Sequence, residues 1–155
     1  MIKEKSFSAY IIPIRNVGGC TQFAFLKYGE NGYGPIGGRV DDGEDLLQAL
    51  KRELVEELGD SALFMADIAK KIDKPYCFIH SPERAIKRGA KSEEHNYFIA
   101  SIPFDTELQF CENRPDKIEL TWLSVEQLIN PNIIGFTDLC EYFKENIIML
   151  LKIIG

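Results

Sequence analysis

Three glutamates near the middle of the chain, Glu53, Glu56 and Glu57, have a spacing that places side chains on one face of a helix. Residues three and four positions apart are neighbours on a helix surface. Carboxylates gathered in this way repel one another, and a divalent cation such as Mg²⁺, which prefers oxygen ligands, would reverse the sign of that effect. Glutamate is usually solvated, however, so the spacing alone favours an acidic surface over a metal site.

The residues that precede these glutamates change that balance. Segment 37–44 reads Gly-Gly-Arg-Val-Asp-Asp-Gly-Glu, and its glycines allow backbone groups to approach a metal or a phosphate closely. Arg52 comes directly before Glu53 and can orient a neighbouring carboxylate through a bidentate contact. These surroundings favour a functional site over a plain charged surface.

Residues 38–60 resemble the Nudix box. The family pattern is Gly, five residues, Glu, seven residues, Arg-Glu, an aliphatic residue, any residue, Glu-Glu, any residue, Gly and an aliphatic residue. The positions that match are Gly38, Glu44, Arg52, Glu53, Leu54, Glu56, Glu57 and Gly59. Asp60 stands where an aliphatic residue is usual, and this departure concerns local packing rather than chemistry.

The resemblance implies a fold and a function. The expected fold is an α/β (α+β) protein, the Nudix α/β/α sandwich around a central mixed sheet. The expected activity is a Mg²⁺-dependent pyrophosphohydrolase, with Mn²⁺ as a substitute, that cleaves the diphosphate linkage of a nucleoside diphosphate joined to another moiety. A nucleoside triphosphate or a modified one is the first candidate substrate, and ADP-ribose or another nucleotide-sugar is the second. A catalytically silent nucleotide sensor is the alternative, but such domains usually lose carboxylates that this chain keeps.

The resemblance also implies roles for individual residues. The metal ligands would be Gly38, Glu53, Glu56 and Glu57. The catalytic residues would be Glu53 as base, Arg52 orienting it, and Glu44 bracing the site. Some family members carry the base on a later loop, and the candidates here are Glu112, Asp116 and Glu119; the sequence does not choose among them.

Two cations are candidates for contacts with the substrate phosphates. Lys27 ends a predicted strand, and Arg39 lies within the glycine segment. Each is also explained as a solvated surface charge. The connector 81–92 is rich in arginine and lysine and could act as a mobile lid that attracts phosphates, although solvated loop charge is the simpler interpretation.

One helix must carry the glutamates, and the pattern predicts it over residues 46–58. Asp45 is placed to cap its first turn and Gln48 completes a capping box, while Gly59 provides the stop. An apolar series at helical spacing predicts its buried side. The series comprises Leu47, Leu50, Leu54 and Leu58.

Strands are expected on both sides of that helix. The segments rich in β-branched and aromatic residues are 7–14, 22–28, 75–80, 95–102 and 117–123. Residues 29–43 suit a loop or a short interrupted strand, and residues 61–69 fit either a loop or a strand. A short helix should follow Ser124 and stop at Pro131, and a last helix should begin at Thr137.

Two further patterns carry less weight. Residues 32–37 match GxGxxG, but no helix opens inside the motif and repeated βα units are lacking, so a nicotinamide site is rejected. Five aromatic residues could stack on a base, although burial in the core is the favoured interpretation of each. They are Tyr33, Tyr76, Tyr97, Trp122 and Phe136.

Composition bounds the remaining possibilities. A chain of 155 residues with 45% hydrophobic residues suits one domain over 1–155. A formal net charge of -6 argues against stable nucleic-acid binding but not against a small phosphorylated partner. The lack of a long apolar stretch or a signal-peptide pattern leads us to expect a cytoplasmic protein without membrane contact, as a monomer or homodimer. The four cysteines and two histidines lack zinc spacing, and mostly buried, reduced thiols are expected.

Overall fold

The longest strand, β1 (Lys3–Val17), organises the sheet in the computed structural model, which describes residues 1–154. On one side β1 pairs in parallel with β7 (Ala90–Ser101). On its other side its second half pairs antiparallel with β2 (Cys20–Tyr28) across a turn formed by Gly18 and Gly19. Both glycines have positive φ (57° and 82°), which L-residues with side chains rarely adopt and which suits a tight hairpin.

Short strands complete an eight-stranded mixed sheet. The first half of β1 pairs with β4 (Ile36–Arg39), and β2 pairs with β3 (Tyr33–Gly34) and β8 (Ile118–Ser124). The far strand β7 pairs with β5 (Lys70–Lys71) and β6 (Tyr76–Ile79). Every pairing except that of β1 with β7 is antiparallel, so the predicted mixed sheet is confirmed.

The helices lie on both faces of this sheet. They are α1 (Leu46–Leu58), α2 (Phe64–Ile68), α3 (Pro82–Arg88), α4 (Val125–Leu128), α5 (Pro131–Ile134), α6 (Thr137–Phe143) and α7 (Met149–Ile154). A 3₁₀ turn at Asp60–Ala62 follows α1, and a π-helical turn at Lys144–Ile148 joins α6 to α7. None of the helices within residues 1–154 has the length and apolar character needed to span a membrane.

Alternation along β1 divides the apolar residues between two cores. Ala9 and Ile11 pack with Leu50 and Leu54 of α1 on one face. The alternate residues of β1, such as Ile12, point to the other face of the sheet and pack in a second core that includes residues of α6. Fully burying one such aliphatic side chain contributes roughly 1.5–3 kcal/mol, so both helical layers are held firmly on the sheet. The result is the expected α/β/α sandwich.

Helix α1 has the predicted bounds and the predicted cap. The Asp45 side chain accepts a hydrogen bond from the Gln48 N–H, and the Gln48 side chain accepts one from the Asp45 N–H, both at 2.8 Å. Leu47 was expected in the buried stripe, but its exposed fraction is 42%. It lies in the first turn, at the margin of the helix face that meets the sheet, and the core is sealed by Leu50 and Leu54 instead.

Three connecting segments differ from their predictions. Residues 61–69 are mostly helical rather than loop or strand, since they end the 3₁₀ turn at Ala62 and form α2 over Phe64–Ile68. The connector 81–92 contains α3, with Ser81 capping its start and Gly89 in the left-handed conformation at its end. Pro131 does not only stop a helix, since it also occupies the first turn of α5, where its missing N–H costs nothing.

The cysteines also differ from expectation. Cys140 is buried, but Cys20, Cys77 and Cys111 are exposed, and all four thiols are free. Cys20 sits at the β1–β2 turn, Cys77 faces outward from β6, and Cys111 lies in the loop before β8. These three side chains lie outside the hydrophobic cores, so they depart from the general tendency of cysteine to be buried.

Candidate active site

Arg52 is the centre of an ion-pair network along α1. Its Nε and Nη2 donate to the two carboxylate oxygens of Glu44 at 2.8 and 2.9 Å. Its Nη1 donates to Oε1 of Glu53 at 3.0 Å and reaches Oε1 of Glu56 at 3.5 Å. Nη2 also donates to the carbonyl oxygen of Arg39 at 2.9 Å. One guanidinium therefore fixes three carboxylates and the end of β4 relative to one another.

Glu44 is bound tightly in this network. Besides the contacts from Arg52, it accepts a 2.8 Å hydrogen bond from the Asp41 backbone N–H. The hydrogen bond from Arg52, followed by that from Asp41, lowers the pKa of Glu44 to about 2. Glu44 is consequently ionised near neutral pH, and both of its oxygens serve to brace Arg52 and the glycine segment.

Two glycines of β4 allow the sheet to approach α1. The Gly37 N–H donates to Oε1 of Glu57 at 2.8 Å. Gly37 has φ of 135°, and a Cβ there would lie 2.1 Å from the carbonyl oxygen of Ala9. A Cβ on Gly38 would lie 2.5 Å from Oε1 of Glu53. Gly37 therefore allows β4 to lie close to β1, and Gly38 leaves room for the Glu53 carboxylate.

The three glutamates of α1 differ in environment, and they do not form a uniform solvated face. Only 4% of Glu57 is exposed, whereas the Glu56 side chain is 48% exposed. Burial, strengthened by the negative charges of Glu53 and Glu112, raises the pKa of Glu57 to about 8. Burial also raises the pKa of Glu53, despite its hydrogen bond from Arg52.

The burial of Glu57 favours a bound cation or a proton at its carboxylate. Desolvating one ionised carboxylate costs several kcal/mol. The single hydrogen bond from Gly37 to Glu57 contributes about 1.5–3 kcal/mol, as is usual for a charged acceptor, and cannot fully offset that cost. A bound cation would stabilise the ionised form of Glu57 in the same place.

The donor set fits a hard divalent ion in its chemistry, since every candidate ligand is an oxygen. Within residues 1–154, however, no three acidic, histidine or cysteine side chains already converge on a point that could hold a metal. Arg52 draws Glu53 and Glu56 to itself while Gly37 holds Glu57. Metal binding would therefore require these side chains to turn away from their present partners.

The loop before β8 brings one further carboxylate to this cluster. The Cys111 N–H donates to the Glu57 carbonyl oxygen at 2.8 Å, which places the half-buried Glu112 at the end of α1. The charge of Glu112 contributes to the raised pKa values of both Glu53 and Glu57. The other two later-loop candidates lie in exposed ion pairs: Asp116 with Arg114 at 2.9 Å, and Glu119 with Lys117 at 3.6 Å.

The two cations expected to contact phosphates have different surroundings. The exposed side chain of Arg39 donates to the Arg88 carbonyl oxygen at 2.6 Å and so ties β4 to the end of α3. Lys27 lies on β2 with its Nζ 5.9 Å from the centre of the Tyr33 ring. Neither contact joins these side chains to the glutamates of α1.

A cavity of about 650 Å³ opens on the opposite face of the sheet. Its walls are mainly aromatic, and they include Tyr10, Tyr33, Tyr76, Phe78, His95, Tyr97 and Phe136. Four of the five aromatic residues singled out in the sequence thus meet here, although Tyr97 is also a core residue with 1% exposure. Trp122 is the exception, because it packs on the other core under the Arg15 guanidinium, 3.9 Å from the ring centre.

Tyr10 connects this cavity to the carboxylate cluster. It lines the cavity from β1, and its ring lies directly against Gly37, the residue that holds Glu57. The charge of Glu53 also contributes to raising the pKa of the Tyr10 hydroxyl, after the larger effect of burial. A ligand in the cavity would therefore lie one strand away from the carboxylates.

A buried acid at the cavity wall was missed by the sequence analysis. The Glu93 side chain, 2% exposed, contacts His80, His95 and Arg88. The two histidines are far apart in sequence, and β6 and β7 bring them together. A signal existed in the alternation of Glu93, His95 and Tyr97, which places all three on one face of β7.

Solved structures share this architecture. The MutT protein from Methanosarcina mazei Go1 matches with 22% identity and a TM-score of 0.63, covering 94% of this chain and 96% of that one. An Ap4A hydrolase from C. elegans matches with 20% identity and a TM-score of 0.60, covering 93% and 95%. The NUDIX domain of Shewanella oneidensis NrtR, solved with ADP ribose, matches with 12% identity and a TM-score of 0.62, covering 94% and 88%. At these identities the likeness establishes the fold.

Sheet, helical layers and glycine segment together define the Nudix fold. The NUDIX domain model matches residues 8–139, and the chain therefore belongs to the Nudix family and is a hydrolase of pyrophosphate bonds. Nudix hydrolases generally use divalent metal ions. No curated protein gives a significant match to the sequence.

Proposed function

We propose that this chain is a Mg²⁺-dependent pyrophosphohydrolase acting on a nucleoside diphosphate joined to another moiety, with a nucleoside triphosphate as the first candidate. The observation that carries the proposal is the position of Gly37. Its N–H holds the buried Glu57, and its backbone packs against Tyr10 of the aromatic cavity. A nucleoside in the cavity would have to extend its phosphates past the edge strand β4 to reach the carboxylates.

The metal would be held by residues of α1 and β4. The proposed ligands are the carboxylates of Glu53, Glu56 and Glu57 and the carbonyl oxygen of Gly38. When bound, the ion would neutralise charge on the phosphates and lower the pKa of an attacking water. The buried position of Glu57, which needs a cation or a proton, supports this assignment.

Arg52 and Glu44 would act as positioning residues. Arg52 uses Nη1 to bind Oε1 of Glu53, which leaves Oε2 of Glu53 as the oxygen that would accept the proton of the attacking water. Glu44 holds the other side of the guanidinium at 2.8 and 2.9 Å and keeps that geometry fixed. Glu112 is the alternative base, because its charge acts on the same carboxylates.

Lys27 and Arg39 remain proposed phosphate contacts with unequal support. Arg39 is tied to the Arg88 carbonyl oxygen, so it lies between the carboxylate network and the cavity. A phosphate chain that runs from the cavity to α1 would pass this position. Lys27 has less support, since it is exposed and its described neighbours are Tyr33 and Glu119.

The size of the cavity supports a nucleoside as the bound group but does not identify the base. A volume of about 650 Å³ falls within the range of ordinary small-molecule sites, roughly 300–1,000 Å³. The solved relatives include an Ap4A hydrolase and a domain bound to ADP ribose, so their ligands differ. ADP-ribose or another nucleotide-sugar is therefore retained as the second candidate substrate.

A hydrolysis screen with Mg²⁺ tests the proposal. The panel contains nucleoside triphosphates, ADP-ribose, nucleotide-sugars and dinucleoside polyphosphates, with products separated by ion-exchange chromatography. Glu57→Gln should abolish turnover, whereas Glu126→Gln, which alters an exposed glutamate on α4, should not. If the wild-type protein hydrolyses none of the compounds but binds one of them tightly, the proposal of an enzyme is rejected in favour of a nucleotide sensor.

A further inference from the structure

The Glu93 carboxylate is fully occupied by partners from three elements. Nε and Nη2 of Arg88, on α3, donate to its two oxygens at 3.3 and 3.2 Å. Nε2 of His95, on β7, lies 3.2 Å from Oε1, and His80 contacts Oε2. Glu93 and His80 have side chains only 2% exposed. The network is therefore a built feature of the cavity wall rather than a surface contact.

This arrangement leaves donors of Arg88 free at the cavity wall, whereas the oxygens of Glu93 are taken. An arginine carries five N–H donors, and Glu93 uses two of them, so two remain on Nη1 and one on Nη2 of Arg88. Among the described residues that line the cavity, Glu93 is the only carboxylate, and its oxygens are already taken. A ligand here meets an oriented guanidinium and no free carboxylate.

The pairing with Glu93 weakens the attraction of Arg88 for a phosphate, and Arg84 is the second cation that lines the cavity. The positive charge of Arg88 is cancelled by Glu93, 3.2 Å away and buried. A neutralised guanidinium still donates directed hydrogen bonds, but it offers little net attraction to an anion. Arg88 is thus better suited to carbonyl or ring-nitrogen acceptors than to a second phosphate.

The surrounding rings fit a flat heterocycle. Tyr76 and Phe78 lie 5.5 Å apart between ring centres, and Phe78 meets His95 edge to face at 5.0 Å. Tyr10 and Tyr97 stack at 5.5 Å on the sheet side. Such walls bury planar rings and restrict their orientation, so the edge of a base would be presented to a fixed donor.

We propose that Arg88, oriented by the buried Glu93, is the specificity-determining residue of this site and selects bases that present carbonyl acceptors, such as 6-oxopurines, over 6-aminopurines. The inference rests on the proposed function, because it specifies the substrate of the same site. A 6-oxopurine offers two neighbouring acceptors, O6 and N7, that match an arginine fork, whereas adenine replaces O6 by an amino donor. Glu93 is the positioning residue in this scheme.

Inosine and adenosine triphosphates form a suitable substrate pair, because they share sugar, phosphates and ring system and differ at the purine 6-position. We expect the wild-type kcat/KM to favour inosine triphosphate by about tenfold or more, the usual discrimination of one bidentate contact. Arg88→Met should bring this ratio close to one by raising KM for inosine triphosphate, with kcat retained. Lys87→Met, an exposed cation on the same helix, should leave the ratio unchanged.

Glu93→Gln separates positioning from folding. If it folds, as judged by circular dichroism, the substrate ratio should fall toward one although Arg88 is still present. If it does not fold, Arg88→Lys, which keeps the charge and loses the planar fork, should produce the same loss of discrimination. Equal kcat/KM for the two triphosphates in the wild type, or an unchanged ratio in Arg88→Met, overturns the inference.

Binding of inosine and adenosine monophosphates, which contain no phosphoanhydride, distinguishes this inference from the proposed function. Calorimetry of the wild-type protein should show tighter binding of the inosine compound. Hydrolysis of triphosphates without such a preference would retain the proposed function and reject the role of Arg88. If the protein prefers inosine monophosphate but hydrolyses no triphosphate, the role of Arg88 is retained and the proposed function is rejected. If it binds neither monophosphate, the cavity is rejected as the site for the base.

Discussion

The Gly37 backbone N–H donates a 2.8 Å hydrogen bond to Oε1 of Glu57, joining the glycine strand β4 to helix α1. The bond fixes a buried carboxylate at the junction of the two elements. Because a side chain at position 37 would strike the carbonyl oxygen of Ala9, the closeness of strand and helix depends on glycine. The geometry of the site is therefore set by the packing of the sheet against α1.

Gly38→Ala tests whether the close approach of β4 and α1 also depends on glycine at position 38. The new Cβ would lie 2.5 Å from Oε1 of Glu53, so the carboxylate must move. A flexible side chain can yield, and we expect a loss of stability of about 1 kcal/mol, at the low end for overpacking. Turnover should fall by about a hundredfold, because an ångström of misplacement is costly in catalysis. Thermal unfolding and steady-state kinetics measure the two effects separately, and a variant with full activity would contradict the assigned crowding.

Arg52→Lys removes the fork while keeping the charge. A lysine cannot bind Glu44 and Glu53 at the same time with the geometry of a guanidinium. We expect kcat to fall by about tenfold to a hundredfold, since Glu53 loses its orientation. Lys51→Ala, at an exposed position on the same helix, provides the control and should remain near wild type. An unchanged kcat in Arg52→Lys would show that Glu53 needs no orienting partner.

Much of the site could be predicted from the sequence because its pattern is local. The capping box at Asp45 and the helical repeat fix α1, and the box spacing identifies Arg52 and the glutamates. The burial of Glu57 could not be foreseen, since it depends on β4 and on the loop around Cys111 folding over the end of α1.

The cavity was harder to predict because its polar wall is assembled from distant segments. The register of β6 on β7 brings His80 to Glu93, and α3 returns Arg88 to the same carboxylate. Each residue alone looks like an ordinary surface charge or an isolated histidine. The sequence does not reveal how the strands pair, so it does not show that Glu93 holds Arg88 in a fixed position at the cavity wall.

The general base can be located by comparing two carboxylates. Glu53→Gln should reduce kcat by about a hundredfold or more if Glu53 takes the proton, in line with the usual contribution of general base catalysis. Glu112→Gln should then have a smaller effect, through the local charge only. Glu119→Gln serves as the control, because Glu119 pairs with Lys117 at the exposed surface. A larger loss in Glu112→Gln than in Glu53→Gln would transfer the base role to the later loop.

Magnesium should stabilise the protein itself, independently of any substrate. A ligand that binds only the folded state at tenfold its Kd adds about 1.4 kcal/mol, which for a domain of this size raises Tm by roughly 3–6 °C. Glu57→Gln should lose most of this increase, because it removes the buried charge of a proposed metal ligand. Thermal unfolding with Mg²⁺ and with EDTA measures the shift. Equal Tm values in the two conditions would remove the metal assignment even if activity were found.

Acid should destabilise the fold through the network around Glu93. Burial alone would raise the pKa of Glu93, but hydrogen bonds from Arg88, His95 and His80 outweigh it and lower the pKa to about 2. The unfolded chain therefore binds a proton more readily than the folded one, so this stabilisation is present above about pH 4.5 and is lost as the pH falls toward 2. Burial also lowers the pKa of His95, which adds a loss below about pH 6.5 with the same sign.

Glu93→Gln should consequently flatten the pH dependence of unfolding between pH 4.5 and 2, while lowering stability at pH 7. Urea denaturation of the wild type and the variant across this range measures the difference. Glu94→Gln is the matched control, because its neighbour Lys5 lies 3.5 Å away in a partly exposed pair of small energetic value. Parallel curves for the wild type and Glu93→Gln would mean that the carboxylate does not exchange its proton on unfolding, and the network would then contribute shape to the cavity rather than pH-dependent stability.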